Sequence, residues 1–459
     1  MDNHSARERS KGIVNHIARY VASDSYHELS LLATLSRAWQ EAIESITFRK
    51  LKVKSDELHT FQQFVTRRRR HHLADLKFEM MLPTYTKKQT QYWDTPTQKR
   101  SNNACFTLAI RELFKILKNW EDENVQRHMR LRLKKVFSPT PCLMQPMALT
   151  RITLTNPDSL PTLSRVRELD LQHPYPFPNM KLVSPTLISP QVAPWLLKLL
   201  PNTNRTVWNL VEFRDGSEKI AFAEAIKATQ LQPRSELIMN LRTYQGISNL
   251  VLLPHDLLSA AIRTVSQNLT VMTLKFKFDA TLFWPSNSKN SGTPYWPHLK
   301  ELRVESTLYQ LYVGSEFYRM ESEDSDEHDY SGNQMLRVTE HPVLITLAKA
   351  VQNMPLLEYF YFLHRSEQLL GGAHTGLPGF GTFAILYHCP GPWNDYDHIE
   401  ETKEEESFRR ICCSCEHGNT WRPEEETVVT LRNAGEKKFG GKPIEGSRLI
   451  GRPRSILSE

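Results

Sequence analysis

The fold is decided by a short pattern that is clearest at residues 166–171, VRELDL, where Val166, Leu169 and Leu171 are the apolar positions. The same apolar-x-x-apolar-x-apolar spacing recurs elsewhere. The other copies are Leu73, Leu76 and Phe78; Leu299, Leu302 and Val304; Leu356, Tyr359 and Tyr361; and, more loosely, Leu269, Met272 and Leu274. Apolar residues two positions apart lie on one face of a strand, so each copy predicts a strand with one buried face.

Helical apolar periodicity lies between these strands. The predicted helices run from Phe106 to Trp120, Gln191 to Leu200, Glu218 to Gln230, Pro254 to Gln267 and Pro342 to Asn353. Strands that alternate with helices predict a parallel sheet and an α/β fold class. The strand spacing is typical of leucine-rich repeats, yet the copies are unevenly spaced and lack the asparagine or cysteine that closes such a repeat. Two forms of the body therefore stay open, an irregular α/β domain and a leucine-rich-repeat-like one.

Polar segments interrupt this pattern. Residues 83–103 are short of aliphatic side chains, and residues 312–334 contain the acidic run ESEDSDEHD, so both are predicted to be exposed loops. Residues 400–459 alternate acidic and basic blocks and are expected to be a mostly disordered tail. The predicted domains are a helical domain at 8–53, an α/β domain at 54–399 and this tail.

Composition places the chain among ordinary globular proteins. Its 459 residues are 40% hydrophobic and 24% charged, and the net charge of +7 is too small to imply nucleic-acid or membrane binding. No apolar run is long enough for a membrane span, and the first residues lack the apolar core of a secretory signal. Six cysteines in so long a chain fit a reducing compartment. We therefore expect an intracellular protein of the cytoplasm or nucleus, without disulfides.

The N-terminal region shows a different periodicity. Ile13, Val14 and Ile17 begin a helical stripe over residues 12–21, and the apolar residues of 29–46 predict two more short helices with a break near Ser36. Leu51 and Val53 then alternate with lysines, which predicts a half-exposed first strand.

This region resembles an F-box, the short three-helix motif by which many proteins bind the Skp-family adaptor of cullin-RING ubiquitin ligases. The resemblance rests on IVNHIARYV (13–21), LSLLATLSRAWQEAI (29–43) and ITFRKLKV (46–53), and Ser36-Arg37-Ala38-Trp39 is its most specific part. Residues 51–85 are similar to the sequence that follows the F-box in uncharacterised filamentous-fungal proteins. WPHLKELRVE and MPLLEYFYF carry a weaker likeness. Arg9 and Ser10 depart from the family, which usually has Leu-Pro at this point.

The resemblance implies a non-catalytic receptor subunit that links the adaptor, and through it a cullin, to an unknown target protein. The residues that it assigns to the adaptor contact are Ile13, Val14, Ile17, Leu29, Leu32, Leu35 and Trp39. Each of them could equally belong to the core of a small helical domain. Two other functions stay open, a stand-alone interaction scaffold with a degenerate F-box and a nuclear nucleic-acid-associated protein.

The most basic run is RRRRHH, in which Arg67, Arg68, Arg69 and Arg70 precede two histidines. Such runs occur in nuclear import signals and at phosphate contacts. Because this one lies between a helix and a strand, a solvated turn is the favoured interpretation, with import and nucleic-acid contact as alternatives. No aromatic residues are interleaved with it, as a single-strand binding surface would require.

The remaining motifs predict no chemistry. Cys412, Cys413, Cys415 and His417 resemble half of a zinc site, but no second ligand pair follows them. The glycines of 371–381 lack the Lys-Ser/Thr ending of a phosphate loop, and we expect a loop followed by a last strand over 382–388. No acid/base pair, nucleophile elbow or metalloprotease helix is present. The sequence therefore predicts no catalytic residue, no metal and no cofactor.

Overall fold

The chain adopts a mixed α/β fold with a large, mostly parallel sheet. A computed structural model describes residues 3–24, 29–83, 95–123, 127–137, 151–172, 187–211, 213, 215–229, 231–242, 257–286, 292–309, 342–367, 383–390, 410–415, 425–433, 439–440 and 444–447. These residues belong to two compact units, Met1–Leu210 and Val211–Glu459.

The helices described are α1 Asn3–Asp24, α2 Leu29–Leu32, α3 Arg37–Thr47, α4 Leu58–Phe64, α5 Arg67–Arg70, α6 Pro96–Asp122, α7 Val192–Lys198, α8 Gly216–Lys227, α9 Leu257–Ser266, α10 Pro342–Val351 and α11 Glu425–Arg432. The strands are β1 Lys50–Lys54, β2 Asp75–Met81, β3 Met129–Phe137, β4 Arg151–Ile152, β5 Val166–Gln172, β6 Leu187–Ile188, β7 Arg205–Val211, β8 Glu236–Arg242, β9 Val271–Lys275, β10 Glu301–Tyr309, β11 Tyr359–Glu367, β12 Phe383–His388, β13 Arg410–Cys415 and β14 Ile444–Ser447.

The first unit carries a parallel sheet whose strands β1, β2, β3, β5 and β7 follow one another in chain order, while β4 and β6 pair separately. The strand registers align apolar side chains in rows. One such row is Val53, Phe78, Leu133, Leu171 and Trp208. All five are buried, so this face of the sheet is core. The alternating positions on the other face are mostly charged, as the period of two in a strand requires.

The second unit contains the parallel strands β8, β9, β10 and β11, followed by strands of mixed direction. Strand β12 is antiparallel to β11, β13 is antiparallel to β12, and β14 is parallel to β13. The parallel part confirms the strand type that the alternation with helices predicts. The strand predicted at 382–388 is β12, but it is not the last strand.

The predicted apolar phase of β11 is wrong by one residue. The register pairs Leu302 with Phe360 and Val304 with Phe362, so these two phenylalanines continue the core row. Tyr359 and Tyr361 lie on the opposite face, in a cluster with Leu363, Ala384 and Leu386. Apolar side chains occupy both faces of β11, so the sequence pattern there does not distinguish the two phases.

Helix α6 begins earlier than the loop prediction for 83–103 allows. Thr95 caps the helix, Pro96 is its first residue, and Gln98 completes a capping box with Thr95. These residues are polar, and polar composition alone resembles a loop, but their order is that of a helix start. Residues 84–94 and the loop predicted at 312–334 lie outside the described residues.

Strands β13 and β14 and helix α11 lie within the segment 400–459, which is predicted to be mostly disordered, and most of the rest of that segment lies outside the described residues. Ile411, Val428 and Leu431 are buried there. Burial of these apolar residues offsets the entropy that ordering costs. The predicted boundary at 53/54 also differs, because strand β1 spans it and the compact units divide at 210/211.

Candidate functional site

The first three helices share a small core built largely from alanine. Ala18, Ala22, Leu29, Ala42 and Ile43 are buried together. Half-buried side chains that pack against them are Val14, Val21, Leu32, Ala33, Trp39 and Ile46. The helical break predicted near Ser36 is the start of α3, where the Ser36 hydroxyl accepts a hydrogen bond of 3.3 Å from the Trp39 backbone N–H. This cap begins the helix that carries Trp39 into the core.

Large apolar side chains remain on the outside of the same helices. We call Ile13, Ile17, Tyr20, Leu31 and Leu35 the outer apolar set. They are between 42% and 71% exposed. A helix turns by about 100° per residue, so positions 13, 17 and 20 share one side of α1 while Val14, Ala18 and Val21 share another.

The residues assigned to an adaptor contact therefore fall into two groups, those that face outward and those that pack in or against the small core. Ile13, Ile17 and Leu35 face outward, whereas Leu29 is buried in the small core and unavailable to a partner. Val14, Leu32 and Trp39 are half-buried against that core. The assignment missed Tyr20 and Leu31. Tyr20 belongs to the same helical stripe as Ile13 and Ile17, so its spacing is the signal that could have found it. Arg9 and Ser10 lie within α1.

The arginine run is neither a free turn nor a free cationic patch. We define the arginine seam as Glu44, Arg68, Arg69 and Arg70. Glu44, on α3, is buried, and its Oε1 accepts hydrogen bonds from Arg69 Nε at 3.2 Å and Arg69 Nη2 at 3.0 Å. Arg68 Nη2 lies 3.5 Å from Glu44 Oε2. Charged hydrogen bonds of this kind are stronger than neutral ones, and here they join α3 to the one-turn helix α5.

Stacking reinforces the seam on both sides. The Arg69 guanidinium carbon lies 4.7 Å from the ring centre of Phe48, the residue that ends α3. The Arg70 guanidinium carbon lies 5.1 Å from the ring centre of Trp120 on α6, and Arg70 Nη1 lies 2.6 Å from Glu123 Oε2. Of the four arginines, Arg67 alone is exposed. Three arginines are therefore engaged in the fold, and a role of the run in nuclear import or nucleic-acid contact stays a prediction.

Next to the seam is an open cleft of about 440 Å³ between α1, α3 and the turn after α5. We call it the basic cleft. The charged and polar side chains of its walls that matter below are Asn15, Arg19, Glu41, Arg68, His71 and His72. Burial, and then the charge of Arg127, lower the pKa of His72, and Arg68 and His71 act in the same direction while Glu44 opposes them.

The charged face of the sheet in the first unit holds two buried carboxylates. Lys52 Nζ lies 2.9 Å from Glu79 Oε2, and Lys77 Nζ lies 3.2 Å from Glu79 Oε1. Burial raises the pKa of Glu79, but hydrogen bonds from the two lysines outweigh it and hold the pKa below its usual range. Asp170 shows the opposite balance, since burial raises its pKa despite Arg130 at 3.0 Å. This arrangement is a lattice of ion pairs that binds neighbouring strands together.

The other sequence motifs bring no site together among the residues that the structure describes. Cys412, Cys413 and Cys415 lie on strand β13, whereas His417 and the glycines of 371–381 lie outside the described residues. Within the described ranges, no group of three or more His, Cys, Asp or Glu side chains is arranged to hold a metal ion. Within the same ranges, no helix combines the length and apolarity needed to cross a bilayer.

No protein-family model matches the chain, and no curated protein matches it in sequence.

Proposed function

We propose that the protein is a non-catalytic receptor subunit that binds the Skp-family adaptor of a cullin-RING ubiquitin ligase through the outer apolar set. The observation that carries the proposal is the concentration of that set. Eleven large apolar side chains are exposed among the described residues, and five of them lie between residues 13 and 35. The other six are scattered over the chain. Three of the five, Ile13, Ile17 and Tyr20, share one side of α1. Contiguous apolar exposure is typical of interaction surfaces, whereas single exposed residues are ordinary.

The outer apolar set would contribute part of the free energy of such a contact. Fully burying one large aliphatic side chain stabilises by about 1.5 to 3 kcal/mol, and these five side chains have between 42% and 71% of their surface left to bury. Association itself costs free energy, so other residues of the interface must add to this gain. The alanine-rich core explains why these side chains stay outside, because small residues let the helices approach closely and leave no room for more aliphatic groups between them.

The resemblance to an F-box supports the choice of partner, since IVNHIARYV and LSLLATLSRAWQEAI are the segments that carry both the resemblance and the outer apolar set. In this proposal the loops of the α/β body bind the target protein. Catalysis is done by other ligase subunits, and this chain raises the effective concentration of a target lysine beside them.

We also propose that the body is built like a leucine-rich repeat. The strand order of the first unit supports this proposal. Strands β1, β2, β3, β5 and β7 are parallel and lie side by side in chain order, so each connection returns the chain to the end of the sheet where the strands start. An experimental structure with strands out of chain order would overturn it.

The test of the adaptor contact uses the full chain and a recombinant Skp-family adaptor in a pull-down and in calorimetry. Ile17→Asp combined with Leu35→Asp places two carboxylates in the outer apolar set and should abolish binding. The matched control is Ile220→Asp on α8, because Ile220 and Ile17 are both 42% exposed. This control should bind as the unaltered chain does, and all variants should melt at similar temperatures.

Two results would count against the proposal. Failure of the unaltered chain to bind the adaptor rejects the receptor role. Binding that survives the double substitution rejects the outer apolar set as the contact surface.

A further inference from the structure

The basic cleft has two walls that belong to different parts of the first unit. Asn15 and Arg19 lie on α1, on the side away from the outer apolar set, since positions 15 and 19 are about 200° and 240° around the helix from Ile13. Arg68, His71 and His72 line the opposite wall, at α5 and the turn after it. Arginine side chains therefore approach the same space from two directions.

The arginine seam leaves this space with an excess of positive charge. The single carboxylate of Glu44 serves two arginines, and its Oε1 already accepts from Arg69 twice and from Gln40 Nε2 at 3.1 Å. Arg68 has only the looser contact of 3.5 Å with Glu44, and its side chain, 36% exposed, lines the basic cleft. A guanidinium has five N–H donors, more than this one contact uses, so the accessible part of Arg68 can donate to an anionic ligand in the cleft.

The other wall adds unused donors. Arg19 is exposed and has no ion pair or hydrogen bond within the described ranges. Across the cleft, Arg127 donates to the backbone oxygen of His71 at 3.1 Å and brings a further cation close to His72. Glu41 is the one carboxylate in the lining, so the balance of formal charge there is positive even with both histidines neutral.

We propose that the basic cleft binds a phosphate monoester group. Guanidinium groups match phosphate oxygens with paired N–H donors, and two of them on opposite walls fit an anion with several acceptor oxygens. The cleft is open, so the organic part of the ester extends into solvent. Its volume of about 440 Å³ suits one phosphorylated group rather than a nucleic-acid backbone, which needs a continuous cationic track.

The proposed ligand has a structural consequence that is separate from adaptor binding. It contacts α1 through Arg19 and the α5 turn through Arg68, so it ties the three N-terminal helices to the strands of the first unit. Binding therefore stabilises the packing of those helices, because a ligand that binds only the packed form shifts the equilibrium toward it.

The experiment measures binding of glycerol phosphate and of a phosphoserine peptide to the full chain by calorimetry and by the shift in melting temperature. Sodium chloride at the same ionic strength is the reference. Arg68→Gln and Arg19→Gln should each weaken binding by about tenfold or more, the loss expected for one charged hydrogen-bonding group. Arg67→Gln is the matched control, because Arg67 neighbours Arg68 but lies outside the cleft lining. It should bind within about twofold of the unaltered chain.

Arg19→Gln keeps the result interpretable if Arg68→Gln loosens the seam, since Arg19 takes no part in the seam. Binding of both compounds, or of either one, supports the proposal and identifies the source of the phosphate as a small solute or a phosphorylated peptide. Absence of saturable binding by both compounds overturns it, and so does an equal loss in Arg67→Gln. The Ile17 and Leu35 double variant should retain phosphate binding, which separates this proposal from the adaptor contact.

Discussion

The three N-terminal helices and the strands and helices that follow them in the first unit pack by different means. The later part buries its largest side chains completely, including Trp120, Phe78, Phe106 and Phe114. The N-terminal helices bury mostly alanine and leave large apolar side chains outside. Their attachment to α5 depends on charged hydrogen bonds to Glu44. The difference teaches that one part of a compact unit can bury its large apolar side chains completely while another part of the same unit leaves several of them exposed.

The largest effect on this comparison should come from Trp120→Ala. Trp120 is buried on α6, with its ring centre 5.1 Å from that of Phe61, and its removal leaves a cavity. We expect a loss of about 3–5 kcal/mol in the free energy of unfolding, measured by urea denaturation. Ile13→Ala is the control for the exposed region and should change that free energy by less than about 0.5 kcal/mol. Equal losses in the two variants would remove the distinction between the regions.

A smaller effect should follow from Glu44→Ala, which leaves Arg68 and Arg69 without their shared carboxylate. We expect a loss of about 1–3 kcal/mol, as for other charged hydrogen bonds to partly buried groups. Hydrogen exchange should show the change in α3 and α5 but not in strands β3 and β5. Glu41→Ala, one turn earlier on α3, is the comparison, because Glu41 is not part of the arginine seam. Uniform loss of protection over the whole unit would show that the seam stabilises more than the N-terminal helices.

The smallest effect concerns pH and the ion-pair lattice of the sheet. The pKa of Glu79 is lowered in the folded state, so its contribution to stability is present above the pKa of an unfolded glutamate, about 4.3, and is lost as the pH falls. The difference in stability between the unaltered chain and Glu79→Gln should therefore shrink between about pH 5 and pH 3. Asp170→Asn should show the opposite trend, because the pKa of Asp170 is raised. Urea denaturation at several pH values measures both slopes, and parallel slopes would contradict the assigned shifts.

Much of the fold follows from local pattern, because strand spacing and helical periodicity are set by the backbone geometry of each element. Leu76 and Phe78, like Leu302 and Val304, predict their strands correctly because buried apolar residues alternate there with polar ones along the sequence. Tyr359 and Tyr361 mislead for the converse reason, since apolar residues continue on both faces of β11. Composition did not indicate β13, α11 and β14 within 400–459, because the burial of apolar residues such as Ile411 and Val428 depends on parts of the chain that are distant in sequence.

The candidate sites were harder to predict from the sequence than the fold was. Apolar residues 13, 17 and 20 could be placed on one side of a helix, but their exposure depends on what Ala18 and Ala22 pack against. The arginine run was visible as charge, while its partners Glu44 and Trp120 are far from it in sequence. The basic cleft had no sequence signal, because its walls come from α1, α3 and the α5 turn.

Two adjacent residues of the arginine seam are bonded in opposite directions, Arg69 to α3 and Arg70 to α6. Consecutive Cα atoms are about 3.8 Å apart across a rigid, planar peptide unit. Arg69 and Arg70 therefore link α3 to α6 across a single peptide unit. A displacement of α3 relative to α6 would strain both side-chain contacts at once, so the loss of either arginine should loosen the packing of both helices.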